Sequence, residues 1–157
     1  MTINNLDSHM AQKVIEKMPY EASSVSIIGQ VNDQTSVRFV AFLDIMGFKE
    51  RVARNKHQDI LASLETFQSN ISCYIATHQD ADIQMAMFSD SILLYSKDIT
   101  SNSLSALADI TSHVMMYALQ QDIPIPLKGA IAAGEMTCNQ TKQLYFGQAL
   151  IDAYLLE

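Results

Sequence analysis

Cysteine is scarce in this chain of 157 residues: there are two, Cys73 and Cys138, and no Cys-x-x-Cys pair. That excludes a disulfide framework and a thiolate zinc site, and it fits a reducing compartment. The four histidines, His9, His57, His78 and His113, are too scattered to suggest a metal site. No apolar run approaches the roughly 18 residues that a membrane span needs. The first ten residues, MTINNLDSHM, lack the basic start and apolar stretch of a signal peptide. A cytoplasmic location, away from any membrane, is therefore expected. Basic residues are few as well: 10 Lys and Arg stand against 17 Asp and Glu, a net charge of −7. Such a chain is badly matched to nucleic acid or to an acidic membrane surface. It can still bind a single nucleotide, because a metal ion brings positive charge locally.

What is present is a globular composition, 48% hydrophobic and 17% charged, long enough for one domain with a core that needs no staples. Residues 1–35 read as an N-terminal arm, partly flexible, with a short helix in DSHMAQKVIEKM capped by Asp7 or Ser8 and a polar link in IGQVNDQTS. From residue 36 to 157 the pattern becomes regular. Residues 37–45 form a continuous apolar strand bounded by Gly47. Ile60, Leu61, Leu64, Phe67, Ile71, Tyr74 and Ile75 recur at helical spacing. ADIQMAMFSDSILLYS reads as two short strands broken at Ser89-Asp90. A second long helix follows, with Leu104, Leu107, Ile110 and Val114 on one side and N-cap candidates at residues 100–103. LKGAIAAGEM and QLYFG read as strands, and QALIDAYLLE starts a helix that the sequence leaves at Glu157 without a cap, so a longer natural chain is expected. The order β-α-β-β-α-β-β-α predicts an α+β fold: a ferredoxin-like βαββαβ-type antiparallel sheet with helices on one face.

Two acids stand out against this frame. Asp44 ends the first apolar strand, and Asp90 sits in the break between the two middle strands. If those strands are neighbours, the carboxylates meet at one end of the sheet, where they repel each other unless a cation sits between them. Oxygen ligands of this kind suit Mg²⁺ or Mn²⁺. Taken singly, each aspartate also reads as an ordinary turn residue bonded to nearby amides. The turn in DIMGFKE adds a second component: the amides of Met46, Gly47 and Phe48 would open a helix and can cradle a phosphate, although a plain strand–helix turn has the same look. Lys128, on a strand expected in the same sheet, could touch a phosphate or simply face solvent. Gly129 and Gly134 mark either close backbone approach or a bulge.

These pieces, in this order, resemble the class III nucleotide cyclase domain over residues 37–157. That family has an apolar strand ending in Asp, a Gly-Phe turn, a second Asp at a hairpin tip, a GxxxG-like strand and a late Gly-x-x-Val-Asn-x-Ala-x-Arg helix. The resemblance implies that Asp44 and Asp90 bind two divalent ions, Mg²⁺ or Mn²⁺, which activate the ribose 3′-hydroxyl and hold the triphosphate. It adds the Ile45 carbonyl as a further metal ligand and gives phosphate contacts to Met46, Gly47, Phe48 and Lys128. Sites of this family lie between two subunits, so a head-to-tail homodimer is implied. Alignment on Gly147 places Ile151 and Leu155 where purine cyclases carry their transition-state Asn and Arg, and Ala86 and Leu144 where they read the base. An apolar residue cannot replace a buried polar reader, so the usual purine recognition is missing.

FSDSILLYS, KGAIAAGE and FGQALIDAYLLE are similar to the pyrimidine cyclases of the bacterial Pycsar antiphage system, with Lys128 where Arg is usual and a phosphate contact therefore monodentate. The implied reaction turns UTP or CTP into the 3′,5′-cyclic nucleotide plus pyrophosphate. The product would signal to a downstream effector that kills the infected cell. Two other readings stay open: an inactive cyclase-like domain that senses nucleotide, and a structural α+β interaction module whose aspartates only cap turns.

Overall fold

A computed structural model describes residues 34–157. The expected N-terminal arm, with its capped helix, lies outside the described residues but for its last two, which begin the first strand. That strand, β1 (Gln34–Ile45), is central. A short helix α1 (Phe48–Arg54) and a long helix α2 (His57–Ile75) follow it, and a 3-10 turn (Ala76–Ala81) extends the latter. The hairpin β2 (Gln84–Phe88) and β3 (Ser91–Tyr95) comes next, then α3 (Ser101–Leu119), β4 (Leu127–Asn139), β5 (Leu144–Gly147) and α4 (Gln148–Leu156). The five strands form one sheet in the order β2-β3-β1-β4-β5, every neighbouring pair antiparallel. The α+β antiparallel architecture expected from the sequence is the one that forms.

Successive strand residues point to opposite faces, and in the 39–43 stretch of β1 both sets are apolar. Ala41, Leu43 and Ile45 share one face with Ile92 and Leu94 of β3, and there they meet Phe67 and Ile71 of α2 and Leu107, Ile110 and Val114 of α3. Val40 points the other way, with Leu93, Tyr95, Met136 and Cys138, onto Ala149 and Ala153 of α4. The helices are thus not all on one face: α2 and α3 share a face as expected, and α4 covers the opposite one. The reason lies in β1 itself, whose unbroken apolar run demands cover on both sides. The cover on the second side comes very close. A Cβ at Gly134 of β4 would lie 3.2 Å from the Ala149 amide nitrogen, so the glycine and the two alanines together let α4 approach the backbone.

The start of α3 is well capped. Thr100 Oγ1 accepts a hydrogen bond from the Ser103 amide, and the Asp98 carboxylate accepts from the amide and hydroxyl of Thr100 and from the Ser103 hydroxyl. No helix among the described residues is long and apolar enough to cross a membrane.

Candidate active site

Asp44 is the last but one residue of β1, opposite Ser91 of β3 and Lys128 of β4. By the alternation it belongs with Val40 and Phe42, on the α4 side of the sheet. Its side chain is 24% exposed, reachable from solvent yet partly desolvated. Asp90 reaches the same end of the strands through the β2–β3 turn, which Ser89 closes in the left-handed region at φ 56°. The Asp90 carbonyl accepts a hydrogen bond from the Ile45 amide at 2.9 Å. The two aspartates predicted from the sequence are therefore brought to adjoining backbone positions, and the charge of Asp90 helps to raise the Asp44 pKa.

Lys128 joins them. Its Nζ stands 3.7 Å from Asp44 Oδ2 and also forms an ion pair with the Glu157 carboxylate. The Glu157 side chain is only 7% exposed, against 47% for that of Lys128. Glu157 was not among the residues singled out from the sequence. The signal was present, however: it follows Ala149 and Ala153 at intervals of four, so it continues the sheet-facing stripe of α4. An acid on a buried stripe calls for a partner.

Electrostatics in the cluster run against ionisation of Asp44. Burial raises its pKa most, the charges of Glu157 and Asp90 raise it further, and Lys128 opposes them. The hydrogen bond to Glu157 is the largest of the effects that raise the Lys128 pKa. A site with excess negative charge and one ammonium is one that a divalent cation would relieve, and hard carboxylate oxygens are the donors Mg²⁺ and Mn²⁺ prefer. No group of three or more His, Cys, Asp or Glu side chains among the described residues is arranged to hold a metal alone.

The phosphate turn differs from expectation at one atom. Gly47 adopts φ 71° and ψ 19°, a left-handed conformation that costs glycine little and turns the chain sharply into α1. The Met46 amide, expected to face a phosphate, instead donates to the Pro126 carbonyl at 2.9 Å, because β4 begins directly alongside. The amides of Gly47 and Phe48 find no protein acceptor among the described residues, so two donors remain where three were expected. Ile45 is buried in the core, with its amide bonded to Asp90.

The positions aligned with purine-cyclase residues are apolar in place as well as in name. Ile151 and Leu155 lie one turn apart on α4, 52% and 74% exposed, whereas the Tyr154 ring meets Phe42 of β1 edge-on at 5.7 Å. Leu144 and Phe146 of β5 are exposed too. Ala86 is half-buried against the α4-side core. A separate groove of about 560 Å³ runs past Arg51, Arg54, Asp59 and Asp122, and none of the predicted site residues lines it.

The chain matches no protein-family model and no curated protein. Its fold does match solved structures. The catalytic core of a rhodopsin-guanylyl cyclase with converted specificity, in complex with ATPalphaS, superposes with a TM-score of 0.68 at 13% identity, covering 79% of this chain and 73% of that one. The guanylate cyclase domain of RhGC from Catenaria anguillulae, in complex with GTP, gives 0.61 at 12% identity over 77% and 72% of the two chains. The adenylyl cyclase CyaB from P. aeruginosa gives 0.54 at 17% identity over 79% and 72%. The fold is that of nucleotide cyclase domains.

Proposed function

We propose that this chain is a nucleotide cyclase that converts UTP or CTP to the 3′,5′-cyclic nucleotide and pyrophosphate. The observation that carries the reading is the adjoining backbone placement of Asp44 and Asp90 at one end of the β1 and β3 strands, next to a glycine turn, on a fold shared with adenylyl and guanylyl cyclases.

In this reaction the ribose 3′-oxygen forms a bond to the α-phosphorus, its proton is lost, and the bond from the α-phosphorus to the bridging oxygen breaks to release pyrophosphate. Asp44, Asp90 and the Ile45 carbonyl would hold two Mg²⁺ or Mn²⁺ ions. Bound there, divalent ions supply charge that lowers the pKa of the 3′-hydroxyl and neutralises the leaving pyrophosphate. The chain's own contribution is positional. The two aspartates would act on the triphosphate only by holding the ions against which it is oriented, since bare carboxylates repel phosphate. The free amides of Gly47 and Phe48 and the Lys128 ammonium contact phosphate oxygens.

Pyrimidine preference is supported by the apolar side chains at the base-reading positions, Ala86 and Leu144, which leave no polar group to pair with a purine edge. The FSDS, KGAI and FGQALIDAYLLE motifs support placing the enzyme in an antiviral signalling system, with its product acting on a downstream effector. The exposed apolar residues Phe146, Ile151, Tyr154 and Leu155 support a head-to-tail homodimer, since a second copy would cover them and complete the site. The test is to offer ATP, GTP, CTP and UTP together with Mn²⁺ and identify the cyclic product by mass spectrometry. Cyclic UMP or cyclic CMP is expected, and a purine product would overturn the pyrimidine assignment.

Ile151 and Leu155 also favour a second reading, in which the domain binds a nucleoside triphosphate without turnover, because neither side chain can stabilise transition-state charge. Nucleotide binding by calorimetry with no pyrophosphate released would establish it.

A further inference from the structure

The carboxylate cluster holds a cation of its own. Lys128 is paired with Glu157 and stands 3.7 Å from Asp44, on the α4 side of the sheet. Glu157 is the more constrained partner, carried inward on the stripe of Ala149 and Ala153. A nearly buried carboxylate beside other acids is costly unless a cation answers it, and Lys128 is that cation. An ammonium and a divalent ion would compete for the same Asp44 oxygens, because like charges in one small, partly desolvated site repel.

We propose that Lys128 is the resident counter-ion of this site, that Glu157 is a positioning residue that keeps it there, and that a divalent ion enters by exchange with it. On exchange the ammonium leaves Asp44 while Glu157 retains its hold on the stem's end. The side of the ammonium that Asp44 had occupied is then open to an incoming phosphate. The inference rests on the cyclase reading, since it takes Asp44 and Asp90 as the divalent-ion ligands.

Mn²⁺ alone, without nucleotide, tests it on the full chain. Affinity is read by electron paramagnetic resonance, and the acylation rate of Lys128 by mass spectrometry. Lys128→Met, which keeps the apolar stem, should bind Mn²⁺ about tenfold more tightly than the wild type, because the competing charge is gone. In the wild type, Lys128 should acylate faster as Mn²⁺ saturates the site. In Glu157→Gln it should acylate fast without metal. Mn²⁺ binding that Asp44→Asn abolishes, but that is indifferent to Lys128 and leaves its acylation unmoved, would overturn the exchange and leave the cyclase reading standing. Absence of Mn²⁺ binding in both the wild type and Lys128→Met would overturn both. The acylation measurement needs no substitution, so misfolding of a variant cannot mask the result.

Discussion

The two faces of the sheet share the same strands and are finished differently. On one, two helices of 19 residues each lie over Ala41, Leu43, Ile45, Ile92 and Leu94, and the interface is closed and apolar. On the other, a single helix of 9 residues rests on Val40, Leu93, Tyr95 and Met136 through alanines. This second face stays open at the end of β1, where Asp44, Lys128 and Glu157 sit. Apolar burial on the first face supplies stability that the second face can forgo. The open face is then able to keep partly desolvated charges and exposed apolar side chains, features that a closed core excludes.

That division can be broken from either side. The largest effect is expected at the open face: Asp44→Ala or Asp90→Ala should lower cyclic-nucleotide formation by about a thousandfold, with the fold intact by circular dichroism. At the closed face, Leu107→Ala removes a fully buried side chain and should cost about 3 kcal/mol in urea unfolding, while any surviving folded protein keeps its turnover. Thr100→Ala removes the α3 cap and should cost about 1 kcal/mol in the same measurement.

The smallest effect carries an informative sign. Burial, then Glu157 and Asp90, hold the Asp44 pKa above its ordinary 3.8 in the folded protein. Its ionisation therefore opposes folding: the cost is absent below the unfolded pKa and is fully present once pH has risen through the folded value. Asp44→Asn should raise the melting temperature at neutral pH, and the gain should vanish below the ordinary carboxylate range. A gain that persisted in acid would mean the charge is not its source.

Much of the closed face was legible in the sequence, because periodicity reports burial. The helical recurrence of Ile60, Phe67 and Ile71 and the break at Ser89-Asp90 translate directly into α2 and the β2–β3 hairpin. The juxtaposition of Asp44 and Asp90 was legible too, since a hairpin pairing with β1 leaves their backbone positions little choice. The open face was harder to read. A continuous apolar strand gives no clue to which helix takes which side, so the placement of α4 came only with the structure. The Met46 amide was misread because its acceptor, Pro126, is remote in sequence. Glu157 was overlooked because an acid beside two leucines looks like a solvated helix end until Ala149 and Ala153 are seen to face the sheet.

Whether Asp44 and Asp90 share a divalent ion is decided by anomalous diffraction from crystals grown with Mn²⁺ and a non-hydrolysable UTP analogue. A manganese peak is expected within about 2.2 Å of carboxylate oxygens from both Asp44 and Asp90. A peak elsewhere, or one touching neither aspartate, would contradict it.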